Sequence, residues 1–262
     1  MIIDTHSHLF DPQFDADRDV VIGRMKAAGV ATITVGTNFN ESVKAIEIAE
    51  KYSMWATVGQ HPTDTFEEFD YAKYKKLADN KRAVGVGECG LDYFQMRHSK
   101  LSPEEEKVRQ RKLFEQHISL AREVDKPLMV HVRDAYRDAY EILKDNNARG
   151  VIHFFIGTWE EAKLFLDLGF ALSFSGVITF PPKADPSSGG QYNEVVKNVP
   201  IDMFTIETDS PYVAPSPYRG KRNEPIYVLE VAKKVAELKG MSLEDVLEVT
   251  VVNTKRVFGI PD

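Results

Sequence analysis

Six side chains of the types that bind divalent cations fall at the ends of short apolar runs. His6-Ser7-His8 closes the run that opens Ile2-Ile3, and Glu88 follows Val84-Gly85-Val86-Gly87. His131 sits in Val130-His131-Val132-Arg133-Asp134 and His153 in Val151-Ile152-His153-Phe154-Phe155; Asp209 follows Phe204-Thr205-Ile206-Glu207-Thr208. Imidazole and carboxylate together suit borderline divalent ions such as Zn, Mn, Ni, Co or Fe, without selecting one, and Mg stays open on the carboxylate side. A pair of such ions makes water acidic and clamps the attacking and leaving oxygens of a displacement. The expected chemistry is therefore metal-assisted hydrolysis with two divalent ions about 3.5–4 Å apart, as in two-metal sites generally.

Each residue taken alone has a plainer reading. A His-x-His pair can be two surface histidines, a strand-end glutamate a solvated carboxylate, and His131 or His153 a hydrogen-bonded core histidine. In a strand, however, side chains two apart share a face, so His6 and His8 can point the same way. Val84, Val86 and Glu88 share parity, which predicts an inward carboxylate, and burying it unpaired is costly unless a cation relieves it. Its two oxygens make Glu88 the natural bridge between two ions, with His131 and His153 suited to the second. Asp209 reads as a ligand, and Glu207, of the same parity, lies one layer deeper. His61, in Gly59-Gln60-His61-Pro62, is one more histidine at a strand end. It is expected to contact substrate or shuttle a proton, with Asp64 as a possible partner, or else to be a hydrogen-bonded loop residue. Cys89 has the opposite parity to Glu88 and is expected to pack outward. Gly85-Val86-Gly87 lacks the third glycine of a dinucleotide-binding loop.

Strand ends collect side chains at one place only if the strands run parallel. Eight apolar runs read as strands: 2–6, 31–36, 54–59, 83–87, 127–132, 150–154, 170–175 and 203–208. Several are near-continuously apolar, as strands buried on both faces are. Helical spacing covers 41–52 and 159–168, and a helix over 102–124 opens with Ser102 as N-cap, Pro103, and an acidic first turn. Strand–helix alternation repeated eight times predicts an α/β fold, a (β/α)8 barrel with its site at the carboxyl end of the strands. A doubly wound open sheet is the competitor. The 262 residues suit one barrel domain spanning 1–262. The one long irregular stretch is 176–190, which such a length marks as functional or mobile.

Net charge is −7, so no broad basic surface exists to coat a duplex, and any nucleic-acid contact must be local. The single cysteine excludes an intrachain disulfide and suits a reducing compartment. The start carries no basic-then-apolar signal pattern, and no apolar run approaches the roughly 18 residues that span a bilayer. A cytoplasmic protein with no membrane association and no obligate protein partner is expected.

Asp4-Thr5-His6-Ser7-His8, Gly59-Gln60-His61-Pro62, Gly87-Glu88-Cys89-Gly90-Leu91-Asp92-Tyr93, His131-Val132-Arg133-Asp134-Ala135, Glu207-Thr208-Asp209-Ser210-Pro211-Tyr212 and the segment Pro217 to Pro225 occur in order over essentially the whole chain. As a set they resemble the TatD family of metal-dependent hydrolases. The resemblance implies a TIM-like barrel of the amidohydrolase-related type and a divalent-metal phosphodiesterase, usually a deoxyribonuclease. It implies that His6, His8 and Asp209 hold one ion and His131 and His153 the other, with Glu88 shared. One motif departs: the family usually carries Cys-Phe-Ser-Gly after the sixth-strand histidine, and here the residues are Phe154-Phe155-Ile156-Gly157. That leaves the ligands intact and alters the substrate pocket.

The expected activity is that of a 3′–5′ exonuclease-like enzyme working on DNA ends or short single strands, with Glu88, Asp209 and His61 at the chemistry. The alternative is an amidohydrolase acting on a cyclic amide or ester; many of those bridge their metals with a carboxylated lysine, where this chain has Glu88. A non-catalytic barrel would not need the full ligand set. Arg133 and the cluster Arg219, Lys221 and Arg222, in the loop leaving the last strand, are the expected phosphate contacts, because the arginine fork donates two parallel hydrogen bonds.

Overall fold

The computed structural model describes residues 1–65, 68–181 and 192–261. Eight strands form one sheet in sequence order: β1 Ile2–Ser7, β2 Val30–Val35, β3 Trp55–Val58, β4 Ala83–Asp92, β5 Leu128–Arg133, β6 Gly150–Ile152, β7 Ala171–Phe174 and β8 Phe204–Ile206. Every neighbouring pair is parallel. The sheet curls until its first and last strands meet. Asp209 N–H donates to the His6 carbonyl at 2.9 Å and His8 N–H to the Ser210 carbonyl at 2.7 Å. The result is a nearly closed (β/α) barrel rather than an open doubly wound sheet.

The helices are α1 Arg18–Ala27, α2 Phe39–Tyr52, α3 Tyr71–Ala78, α4 Pro103–Glu123, α5 Tyr136–Leu143, α6 Trp159–Asp167, α7 Tyr192–Asn198, α8 Val228–Lys239 and α9 Leu243–Phe258. The expected N-terminus of α4 is present as a full capping box, in which Ser102 Oγ accepts from Glu105 N–H and the Glu105 carboxylate from Ser102 N–H. Within the irregular stretch 176–190, Gly176–Thr179 forms a short 3-10 turn; residues 182–190 lie outside the described residues.

Two apolar clusters show why the strands read as continuously apolar. Ile2, Leu128, Ile152 and Leu172 belong to the large cluster between sheet and helices. Their sequence neighbours Ile3, Met129, Val151 and Ala171 belong to a second one, closed by Phe258 at the end of α9 and by Ile260 just after it. The alternation is that of strands with one face on the helices and the other inside a barrel.

The ladder slips at three places: between Asp4 and Ser7 of β1, between Ala83 and Gly85 of β4, and between Val86 and Cys89 of β4. These bulges correct the parity argument for Glu88. Val84 packs with the inner cluster and Val86 with the outer one, so the two do not share a face with each other. Glu88 reaches the barrel mouth because an extra residue at 87–88 turns the strand over. The face of His6 is set the same way. Ile3 and Thr5 point inward, Thr5 meeting Ser173 at 3.2 Å, and the slip after Asp4 brings the next residue, His6, inward too. Cys89 is buried in the outer cluster, as its parity predicts.

Candidate metal centre

Two groups of donor atoms converge on the two oxygens of one carboxylate. On one side, His6 Nε2 and His8 Nε2 lie 3.2 Å apart, and Asp209 Oδ1 is 3.7 and 3.3 Å from them. Glu88 Oε2 faces this group at 3.4 Å from His6 and 4.0 Å from His8. On the other side, Glu88 Oε1 is 3.0 Å from His131 Nδ1 and 3.0 Å from His153 Nε2, which are 3.2 Å from each other. Ligand atoms about 2.0–2.2 Å from a tetrahedral ion are about 3.3–3.6 Å apart. Both groups have that scale, so the residues present fit a pair of divalent ions.

Local backbone puts the carboxylate there. Glu88 N–H donates to the Gly36 carbonyl at 2.9 Å, tying β4 to the end of β2. A Cβ on Gly59 would come within 2.5 Å of the Gly87 backbone, so the approach of β3 to the Glu88 bulge requires glycine.

Charge makes the same case. Burial works to raise the carboxyls, but the imidazoles outweigh it: His153, His61 and His6 hold Glu88 well below the usual range, and His8 and His6 hold Asp209 below it. Burial opposes charging His153 as well, yet the Glu88 and Glu207 carboxylates draw it well above an ordinary histidine. Burial pushes His61 down to about 3. Buried carboxylates need compensating positive charge, which divalent ions supply.

Around this core is a cleft of about 560 Å³ lined by donor residues and by His61, Arg133, Phe154, Ile156, Tyr212 and Val213 among others. A profile of the TatD related DNase family matches residues 3–259. The chain belongs to the TatD family. A relative from Bacillus subtilis, YabD, described as an uncharacterized metal-dependent hydrolase, is 41% identical over 99% of this chain and 100% of its own length. The Escherichia coli protein YcfH, described in the same words, is 36% identical over 99% of this chain and 96% of its own. The crystal structure of YjjV, a TatD homologue from E. coli, superposes with a TM-score of 0.88 at 26% identity, over 99% of this chain and 98% of that one. The chain is thus a metal-dependent hydrolase of the TatD family.

The structure brings all six expected TatD ligand positions together and places His61 Nε2 3.4 Å from Glu88 Oε1. On its other nitrogen, His61 Nδ1 is 2.7 Å from Thr63 Oγ1, and the N–H of Asp64 donates to the His61 carbonyl at 2.9 Å. Glu207 lies behind His153, Oε1 to Nδ1 at 3.2 Å, and also accepts from Phe154 N–H at 2.8 Å.

The four cations separate. Arg133 lines the cleft, its guanidinium 3.8 Å over the Phe94 ring, and no carboxylate among the described residues pairs with it. Arg219 stands 4.4 Å over Phe180, and Lys221 is exposed. Arg222 does not fit the expected phosphate role. Its fork is bidentate on Asp17 at 2.7 and 2.7 Å, with Glu224 at 3.1 Å and the Gln13 carbonyl at 2.7 Å, so its hydrogen-bonding capacity is used within the protein. Sequence reading missed one residue of the site. Asp92 Oδ2 is 3.1 Å from His131 Nε2, and the signal for it was the alternation Glu88-Cys89-Gly90-Leu91-Asp92, which carries β4 four residues past Glu88.

Proposed function

We propose that this chain is a two-cation phosphodiesterase acting on nucleic acid, in the manner of a 3′–5′ exonuclease on DNA ends or short single strands in the cytoplasm. The observation that carries the reading is the division of labour at Glu88, whose oxygens face two separate donor groups. In it His6, His8 and Asp209 hold one ion, His131 and His153 the other, and Glu88 both. Bound there, a divalent pair would polarise a phosphoryl oxygen and make water acidic. His61, at the open side of Glu88, is placed to contact the scissile group or pass a proton. Arg133, stacked on Phe94 and facing the cleft, supplies a planar cation for a phosphate next to the scissile bond. The bridging carboxylate and this guanidinium favour a phosphodiester over a cyclic amide.

The test uses protein stripped with a chelator and reloaded with Mn or Mg, on an end-labelled single-stranded oligonucleotide beside a panel of cyclic amides and esters. A ladder of single-nucleotide products that appears only after reloading is expected. Glu88→Ala should keep the fold and lose several orders of magnitude in rate. If it retains more than about a tenth of wild-type turnover, roughly 1.4 kcal/mol of barrier, the bridging role is wrong. Turnover confined to amides would overturn the phosphodiester assignment.

A further inference from the structure

Three of the site's imidazoles face the donor groups with one nitrogen and are held from behind by the other. His8 Nδ1 is 2.9 Å from the Val35 carbonyl, His153 Nδ1 3.2 Å from Glu207, and His131 Nε2 3.1 Å from Asp92. His131 differs in presenting Nδ1 to Glu88, where His8 and His153 present Nε2. A carboxylate on Nε2 keeps the proton there and leaves Nδ1 as the free lone pair.

Asp92 is in turn fixed by α4. Its side chain accepts from Gln95 N–H at 2.8 Å. Its backbone N–H donates to Gln110 Oε1 at 2.8 Å, and its carbonyl accepts from Gln110 Nε2 at 3.1 Å. Gln110 Nε2 also donates to Glu106 Oε1 at 2.9 Å, and Arg109 binds the Glu106 carboxylate through Nε and Nη2 at 3.0 and 2.5 Å. Arg109 then donates to the carbonyls of Pro62 and Asp64, just after His61. Glu106 and Gln110 are 2% and 0% exposed. A helix face that buries such groups is costly unless each is paired. Here they pair with one another and with the backbone of the two segments that carry Asp92 and His61.

We propose that Asp92 is a positioning residue for His131, and that Glu106, Arg109 and Gln110 form a yoke on α4 holding Asp92 and the His61 segment in register with Glu88. This rests on the two-cation reading of the site. The yoke acts through other residues: Asp92 sets which nitrogen His131 offers, and Arg109 sets where His61 stands.

Stripped protein titrated with Zn against a chromophoric chelator reads the affinity of each equivalent, and melting of the stripped protein reads the fold. Asp92→Asn should weaken one of two equivalents by about 10–100-fold, the usual range for removing a partner behind a metal ligand, with the other equivalent and the melting temperature unchanged. Gln110→Met keeps the Asp92 carboxylate and releases its backbone, so it should weaken the same equivalent by a smaller factor; it serves if Asp92→Asn fails to fold. Arg109→Met should lower kcat with both affinities and KM intact, and Arg109→Lys should restore part of it. Two equivalents that Asp92→Asn leaves alone, or weakens equally, would overturn this inference only. So would a third equivalent lost in that variant, which would make Asp92 a ligand with His61 and His131. A wild-type chain that takes up no cation would overturn the two-cation reading and this inference together.

Discussion

Arg133 and Arg222 were equivalent candidates by residue type, and their neighbours give them different work. Arg222 is held by two carboxylates and lies 4.7 Å over Phe14, joining the first barrel loop to the last. Arg133 lines the cleft over the Phe94 ring, with no carboxylate paired to it among the described residues. Hydrogen bonds to a charged partner contribute about 1.5–3 kcal/mol, so Arg133→Ala should lower kcat/KM on an oligonucleotide by about 10–100-fold. On bis-nitrophenyl phosphate, which has no flanking phosphate, the loss should be smaller. Arg222→Ala should instead lower the melting temperature and leave oligonucleotide cleavage close to wild type. Equal losses on the two substrates for Arg133→Ala would make it part of the scaffold. The distinction could not be read from sequence, because the partners of Arg222 are Asp17, about two hundred residues earlier, and Glu224, which reads equally well as a solvated neighbour.

At the scale of elements, the eight strands were legible because each is a short apolar run set between helical stretches, several of them near-continuously apolar, and the six donors because each closes such a run. The ends of β4 were not. Gly87 and Gly90 punctuate the sequence as if the strand stopped, yet both are there for close approach: a Cβ would come within 2.3 Å of the Met129 carbonyl oxygen at Gly87 and 2.0 Å of the His131 carbonyl oxygen at Gly90. Asp92 was hidden behind them. The bulges were equally invisible, since a slip of one residue leaves no compositional mark while it turns a side chain to the other face. Gly59→Ala tests a third close approach, the one against the Gly87 backbone at the Glu88 bulge. Its methyl meets backbone rather than a movable side chain, so both melting temperature and cation affinity should fall, with Ser42→Ala, beside the same segment, as the milder control. A second element-scale prediction concerns His117 on α4. It is fully buried, with Nδ1 2.8 Å from the Leu113 carbonyl and Nε2 accepting from Gln60 N–H at 2.9 Å, so it is held neutral. Burial lowers it from 6.5 to about 4. The unfolded chain therefore takes up a proton first as pH falls, and stability present above 6.5 is lost progressively toward 4. The loss should amount to about 3 kcal/mol. Denaturant titrations in chelator from pH 7.5 down to 4.5 should show a steeper decline for wild type than for His117→Gln; parallel curves would mean that the histidine is not held neutral.

For the whole molecule, the relevant quantity is a net charge of −7 set against the polyanionic substrate proposed for it. A long-range field of that sign repels nucleic acid, so attraction must come from the cleft itself, from bound cations and a few side chains. With Arg222 held by Asp17 and Glu224, the remaining candidates are Arg133, Arg219 and Lys221. Each phosphate neutralised adds roughly 0.7 to the log–log salt slope for a single strand. Two or three contacts therefore predict a slope on the order of 1–2, lower than a cluster that included Arg222 would give. Measured as kcat/KM on a short single strand between about 50 and 200 mM KCl, the dependence should be shallow and should flatten further in Arg133→Ala. The cleft's geometry points the same way. Phe154, Ile156, Tyr212 and Val213 give it an apolar wall, which can stack or cover one terminal base and offers nothing to a phosphate backbone running on past it. A linear single strand should accordingly be degraded from its end while a covalently closed circle of the same sequence resists. Cleavage of circle and line at equal rates, or a salt slope near that of a protein contacting six or more phosphates, would require an extended basic track and would move the substrate contacts away from this cleft.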